Sequence, residues 1–175
     1  MKNVLIVVDM QKDFVDGSLG TKEAVAVVNA VVKKVKEFDG EVIFTRDTHD
    51  ENYMETQEGK NLPVTHCVSD TAGWEIIPAL DELRRETQAK CYDKPTFGCT
   101  VLAEDLKKRY DSGEIGSVEL VGLCTDICVV SNALLLKAFM PELPVSVDSA
   151  CCAGVTPQKH EAALETMRSC QIMVK

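Results

Sequence analysis

The chain has 175 residues, of which 45% are hydrophobic, and a formal net charge of −9. This length fits a single domain over residues 1–175 with a core of ordinary size. The acidic balance argues against a nucleic-acid-binding surface, which requires clustered lysine and arginine, and no apolar run approaches the roughly 20 residues that cross a membrane. The first residues lack the layout of a signal peptide. We therefore expect a cytoplasmic protein whose eight cysteines are free thiols.

Apolar runs alternate with helical patterns along the chain, which predicts an α/β fold with a mostly parallel, doubly wound sheet between two helical layers. A strand over 4–8 is followed by a helix that Thr21 caps and Gly40 ends. The remaining elements in chain order are a strand at 42–45, an aperiodic segment over 46–72, a helix at 73–85, a strand at 89–92, a helix at 102–110 for which Thr100 is a possible cap, a strand at 118–121, a helix that Thr125 could cap, a strand at 145–147, a helix beginning at Thr156-Pro157 and a strand at 172–174. The sheet thus has about six strands. The segment 46–72 is long for a structureless connection, and such loops are often functional.

Three chemically useful side chains follow predicted strands. Asp9 ends the first strand, Lys94 follows the third, and Cys128 follows the fourth in the first turn of a helix. Ligands of open parallel sheets bind beyond the carboxyl ends of the strands, so we expect these groups to converge. A helix N-terminus stabilises a thiolate, which makes Cys128 a candidate nucleophile with Asp9 as proton acceptor and Lys94 as electrostatic partner. The alternative is a capping aspartate and a solvated lysine.

The long loop carries two of the three histidines. Asp47 and His49 directly follow the second strand, His66 lies near the end of the loop, and Glu55 and Glu58 fall between the two histidines. A carboxylate and two imidazoles suit a divalent transition metal with positions left for water or substrate. The alternative is a pair of exposed histidines among acidic residues. The third histidine, His160, is interpreted as a surface or packing residue of the last helix.

Taken together, these residues resemble the isochorismatase-like cysteine hydrolase superfamily, and most of all its nicotinamidase branch. The resemblance spans nearly the whole chain. The segments that carry it are Asp9–Phe14, Thr45–His49, Leu62–Cys67, Lys94 and Gly122–Cys128.

The resemblance implies the roles of the candidate catalytic residues. Asp9, Lys94 and Cys128 match the family's catalytic triad. A cis peptide bond between Leu123 and Cys124 would turn the Cys124 N–H toward an oxyanion, which the backbone N–H groups of Cys124 and Cys128 would bind.

The resemblance also implies a metal site and a substrate pocket. Asp47, His49 and His66 match the metal ligands, and Glu58 fits the fourth position better than Glu55. The implied cofactor is one divalent metal ion, with zinc first and iron or manganese as alternatives. The expected pocket residues are Phe14, Gln11, Phe97 and Leu123. Because Pro63 occupies a position where relatives often carry an aromatic residue, Trp74 or Leu62 would complete the wall.

The implied activity is hydrolysis of nicotinamide to nicotinate and ammonia through a thioester on Cys128, by an enzyme that self-associates. Two alternatives remain open. One is the same chemistry on another small amide, such as an N-carbamoyl amine or a ureido acid. The other is a non-catalytic module that binds a metal or ligand.

Overall fold

The structure, a computed structural model that describes residues 1–175, contains one six-stranded sheet in the order β3-β2-β1-β4-β5-β6, and every neighbouring pair is parallel. The strands are β1 (Lys2–Val8), β2 (Glu41–Asp47), β3 (Cys91–Lys94), β4 (Ile115–Leu123), β5 (Val145–Ala153) and β6 (Met173–Val174). The predicted doubly wound fold is therefore confirmed, and the sheet is wholly rather than mostly parallel.

Helices cover both faces of the sheet. They are α1 (Lys12–Val15), α2 (Lys22–Glu37), α3 (Gln57–Asn61), α4 (Pro78–Glu86), α5 (Thr100–Asp111), α6 (Val130–Phe139) and α7 (Pro157–Ser169). Short 3-10 turns lie at Tyr53–Glu55 and Ala72–Trp74, and a π-turn at Thr125–Val129 precedes α6. None of the helices combines the length and apolar character that a membrane span requires.

The central strand β1 explains the two-sided core. Its residues Val4 to Val8 have no exposed surface, and their side chains point alternately to the two faces of the sheet. Val4, Ile6 and Val8 pack with α5, α6 and α7. Leu5 and Val7 pack with α2 and α4. Burial of each such side chain contributes roughly 1.5–3 kcal/mol, so the aliphatic run fixes this strand at the centre of the sheet.

Several predicted boundaries were wrong. The strands expected at 118–121 and 145–147 are longer, at Ile115–Leu123 and Val145–Ala153. The helix expected at 73–85 begins at Pro78, since the residue before a proline is disfavoured in helical conformation. The strand expected at 89–92 is Cys91–Lys94, so Lys94 is the last strand residue rather than a loop residue. Thr100 lies inside α5, whose N-cap position is Cys99. Thr125 is not a cap either, because its hydroxyl pairs with His160 Nδ1 at 2.8 Å.

The strand order reverses between β1 and β4, which opens a crevice at their carboxyl ends. Just beyond β1, Asp9 has φ +46°, a left-handed conformation that is uncommon for non-glycine residues, and the chain turns away from the sheet there. Beside it on β4, Gly122 has φ +115°, and a Cβ atom there would lie 2.1 Å from the Val8 carbonyl oxygen. Glycine at this position lets the two strand ends approach closely.

Candidate active site

Asp9, Lys94 and Cys128 meet in the crevice between β1 and β4. The Lys94 Nζ atom lies 2.7 Å from Asp9 Oδ2 and 3.4 Å from Cys128 Sγ. Lys94 also reaches Asp47 Oδ1 at 3.3 Å and donates to the Thr96 carbonyl at 3.1 Å. The three side chains are at most 4% exposed. The convergence expected from the strand ends is therefore present in the structure.

Burial controls the protonation of this group. It raises the pKa of the Asp9 carboxyl, an effect that the Lys94 ammonium opposes and Asp47 reinforces. Burial and the nearby Asp9 also raise the pKa of the Cys128 thiol well above its ordinary value, against the effect of Lys94. Lys94 remains an ammonium, because Asp9, Cys128 and Asp47 raise its pKa despite its burial. Burial therefore opposes the stabilisation of a thiolate that the helix start predicts, and Asp9 is the neighbouring group placed to accept the thiol proton.

The π-turn that carries Cys128 is held from two sides. Asn132, on the same face of the next helical turn, donates from Nδ2 to the Cys128 carbonyl at 2.7 Å and to the Phe97 carbonyl at 3.1 Å. Its Oδ1 atom accepts the Cys99 N–H at 2.9 Å. On the other side, the buried Thr125 hydroxyl pairs with His160 of α7. His160 thus helps to fix the turn, which goes beyond the surface or packing role expected of it.

The predicted metal ligands also come together. One ligand atom from each of Asp47, His49, Glu58 and His66 lies within 4.8 Å of the others. Glu55 is not in this group, so the structure favours Glu58 as the acidic residue of the loop. The short helix α3 places Glu58, and Thr56 caps that helix by accepting the Gly59 N–H at 3.0 Å.

This donor set fits a divalent metal. The Nε2 atom of His49 is buried and lacks a hydrogen-bond partner; Asp47 Oδ2 lies 2.9 Å away, but not in hydrogen-bonding geometry. His66 Nδ1 contacts the Val64 carbonyl at 2.8 Å, which leaves Nε2 facing the cluster. Burial would raise the pKa of Asp47, but the neighbouring imidazoles and the Lys94 ammonium together lower it. An ionised carboxylate and imidazole nitrogens aimed at one point are what a metal ion requires.

One cavity of about 670 Å³ joins the thiol to the metal cluster. Cys128, Asp47, Glu58 and His66 all line it. Its apolar wall consists of Phe14, Leu19, Leu62, Phe97, Ile127 and Val155. The wall includes Phe14 and Phe97, as expected, and Leu62 rather than Trp74.

Gln11 and Leu123, expected in the pocket wall, lie elsewhere. Leu123 is fully buried beneath the cavity in the core shared with α2 and α4. Gln11 is also fully buried, and its side-chain amide is engaged with the backbone of Asp47. Neither residue is among those that line the cavity.

Cys124 lies at the junction between β4 and the π-turn. The Leu123–Cys124 peptide bond is cis, at the position expected from the resemblance. The Cys124 side chain lines the cavity, and its N–H takes part in none of the hydrogen bonds within the chain. Burial, followed by nearby acidic groups, raises the pKa of the Cys124 thiol to about 12, which leaves Cys124 a neutral neighbour of Cys128.

Three residues of the site were missed in the sequence. Thr45 donates to Asp9 Oδ1 at 2.6 Å, Asn132 anchors the π-turn, and the fully buried Tyr53 ring lies 4.6 Å from His49 and 4.9 Å from His66 between centroids. Asn132 alone carried a signal, since it is a polar residue four positions after Cys128 within an apolar helix.

Comparison with known proteins places this geometry in a family. The model of the isochorismatase domain matches residues 3–174. The chain belongs to the isochorismatase family. Among relatives in this family, the nicotinamidase/pyrazinamidase of Mycobacterium tuberculosis is 30% identical over 185 residues, covering 96% of this chain and 95% of that protein.

Two solved structures of the isochorismatase family show the same architecture. The nicotinamidase/pyrazinamidase PncA of Bacillus subtilis superposes with a TM-score of 0.84 at 26% identity, covering 99% of both chains. The pyrazinamidase of Pyrococcus horikoshii in complex with zinc superposes with a TM-score of 0.78 at 29% identity, covering 100% of this chain and 99% of that one.

Proposed function

We propose that the protein is a metal-assisted cysteine amidohydrolase that converts nicotinamide and water to nicotinate and ammonia. The observation that carries the proposal is the shared cavity, in which Cys128 faces the same space as the Asp47, Glu58 and His66 side chains. The names of the relatives supply the substrate class. The cavity supplies a nucleophile and an apolar wall for a small aromatic amide, and the fully buried Asp9 is the base near the thiol.

Acylation begins with transfer of the Cys128 thiol proton to Asp9. Burial raises the pKa of both groups. Because the proton only moves from the thiol to the carboxylate, the net charge beside the Lys94 ammonium does not change. The sulfur adds to the carboxamide carbon, and the C=O π electrons move to oxygen. Asp9 then delivers the proton to the amide nitrogen, ammonia leaves, and a thioester on Cys128 remains.

Deacylation reverses the roles of the same groups. A water molecule attacks the thioester carbon while Asp9 accepts one of its protons. Collapse of the tetrahedral intermediate breaks the C–S bond, and Asp9 returns the proton to Cys128. The products of this step are nicotinic acid and the free thiol. The acid then loses its proton to the released ammonia, which gives nicotinate and ammonium, so atoms and charges balance over the cycle.

Backbone N–H groups of Cys124 and Cys128 bind the oxyanion in both steps. The unengaged Cys124 N–H at the rim of the cavity supports this role, and one such donor is worth about 3 kcal/mol in other hydrolases. Asp47, His49, Glu58 and His66 would hold the metal, which when bound supplies a Lewis acid for the pyridine nitrogen beside the thiol. Phe14, whose ring centroid lies 5.4 Å from that of His66, would contact the pyridine face.

We propose zinc as the metal, because two imidazoles with two carboxylates suit a borderline-soft cation and a structural relative is described in complex with zinc. Iron and manganese suit the same donors. Elemental analysis of the purified protein distinguishes them, and replacement of His49 by alanine should abolish the bound metal.

The test of the function compares three proteins for ammonia release from nicotinamide, with and without chelator. Cys128→Ala should lose activity. Cys124→Ala should keep most of it, because the variant removes the second thiol of the cavity but preserves the Cys124 N–H. Undiminished release by Cys128→Ala would reject the mechanism.

One observation favours a second substrate class. Lys159 is the only lysine or arginine among the residues that line the cavity, and a carboxylate-bearing ureido acid could pair with it. A preference for such an acid over nicotinamide in kcat/KM, lost in Lys159→Ala, would select this alternative. For either substrate we expect a cytoplasmic enzyme that self-associates; fractionation and sedimentation test these two points.

A further inference from the structure

The side chain of Gln11 lies beside Asp47, at the position that β1 would occupy if it continued. Strand β1 pairs with β2 as far as Val7 and Phe44, and Asp9 still bonds to Thr45 through its backbone. The chain then turns away, and the side chain of Gln11 forms the next hydrogen bonds with the backbone of β2. Its Oε1 atom accepts the Asp47 N–H at 2.7 Å, and its Nε2 atom donates to the Asp47 carbonyl at 2.8 Å. One side chain thus makes the two hydrogen bonds that a neighbouring strand would supply.

The site requires a primary amide of this length. Nε2 donates its second hydrogen to the Trp74 carbonyl at 2.9 Å, so both N–H bonds and the oxygen of the amide are engaged. Gln11 has no exposed surface, and water therefore does not substitute for these partners. A glutamate would place an oxygen against two carbonyl oxygens, whereas a methionine would fill a similar volume without any hydrogen bond.

Asp47 is the residue that this arrangement orients. Its Oδ2 atom faces His49 Nε2 at 2.9 Å and His66 Nε2 at 3.6 Å. Its Oδ1 atom faces Lys94 Nζ at 3.3 Å. The carboxylate therefore points one oxygen toward the metal cluster and the other toward the lysine that contacts Cys128. A rotation of the Asp47 backbone would disturb both contacts.

We propose that Gln11 is a positioning residue that fixes the Asp47 carboxylate between the metal site and Lys94. It touches neither substrate nor metal. The inference rests on the proposed metal site, and it predicts that the affinity of the folded protein for metal depends on the Gln11 amide. Loss of an outer partner of a metal ligand typically weakens binding ten- to hundredfold.

The experiment measures zinc affinity by competition with a chromophoric chelator. The proteins are wild type, Gln11→Glu, Gln11→Met and the control Gln158→Glu, which makes the same chemical change at an exposed position of α7. Each is measured below its own melting temperature, with circular dichroism to establish that it is folded. We expect a ten- to hundredfold loss of affinity in both Gln11 variants and none in the control. The metal-dependent rise in melting temperature should shrink in parallel.

Wild-type affinity in a folded Gln11 variant would overturn the inference, and so would failure of both variants to fold, since Gln11 would then serve fold stability alone. Failure of the proposed function looks different. In that case the wild-type protein itself would bind no zinc or would release no ammonia from nicotinamide.

Discussion

Replacement of Asn132 by leucine tests how firmly the nucleophile is held. The side chain is 2% exposed and makes three hydrogen bonds, to the Cys99 N–H and to the Cys128 and Phe97 carbonyls. Leucine has the same branched skeleton but no polar atoms, so the bond to the buried Cys99 N–H is lost without replacement, and the Cys128 carbonyl loses its side-chain donor. The unsatisfied Cys99 N–H alone costs about 1–3 kcal/mol. For a chain of this size that corresponds to a fall in Tm of roughly 2–12 °C.

Urea unfolding gives the free energy, and ammonia release gives kcat/KM at a temperature where the variant remains folded. Because the Cys128 carbonyl loses its anchor, kcat/KM should fall at least tenfold even in the folded protein. Asn29→Leu is the matched control, since Asn29 is exposed in the middle of α2 and a surface change stays within about 0.5 kcal/mol. Equal stability and activity of the two variants would refute the assignment of Asn132 as the anchor of the π-turn.

Three further perturbations test the electrostatics and packing of the site. Asp9→Asn removes a charge that raises the pKa of the Cys128 thiol, so the pH of half-maximal alkylation by iodoacetamide should fall while turnover is lost; an unchanged alkylation profile would contradict the charge assignment. Thr45→Val removes a hydrogen bond that lowers the pKa of Asp9. Activity needs the Asp9 carboxylate and is lost as the pH falls through that pKa. The acid limb of kcat/KM should therefore move to higher pH in Thr45→Val, and Thr45→Ser is the control. Gly122→Ala should lower the midpoint of urea unfolding, because its Cβ atom would lie 2.1 Å from the Val8 carbonyl oxygen; a wild-type midpoint would argue against close strand contact.

Much of the fold was predictable because the strands are apolar runs of the right length. The aliphatic run Val4–Val8 predicts a buried strand. Thr156-Pro157 predicts a helix start, which the structure confirms, since the Thr156 hydroxyl accepts the Lys159 N–H. The errors lie where local signals compete. Thr100 and Thr125 have the chemistry of helix caps, but tertiary contacts place one inside α5 and direct the other to His160.

The site was predictable to the extent that strand ends converge. Asp9, Lys94 and Cys128 each follow or end a strand of a parallel sheet, and the sheet order brings them together. The raised pKa of the Cys128 thiol could not be predicted in the same way. It depends on the burial of the thiol and its closeness to Asp9, which outweigh Lys94, and neither quantity can be read from the spacing of residues.

The contacts of Gln11 could not be predicted from the sequence either. Gln11 was an expected pocket residue because it lies in the Asp9–Phe14 segment that carries the family resemblance. The left-handed turn at Asp9 instead directs Gln11 behind the metal cluster, where its amide pairs with Asp47.

The central claim is that amide hydrolysis proceeds through a thioester on Cys128, and interception by hydroxylamine tests it most directly. Added during turnover of nicotinamide, hydroxylamine should divert the thioester to nicotinohydroxamate, and mass mapping of rapidly quenched enzyme should find the nicotinoyl group on the peptide that contains Cys128. Ammonia release with no hydroxamate, or with the acyl group on another residue, would contradict the account.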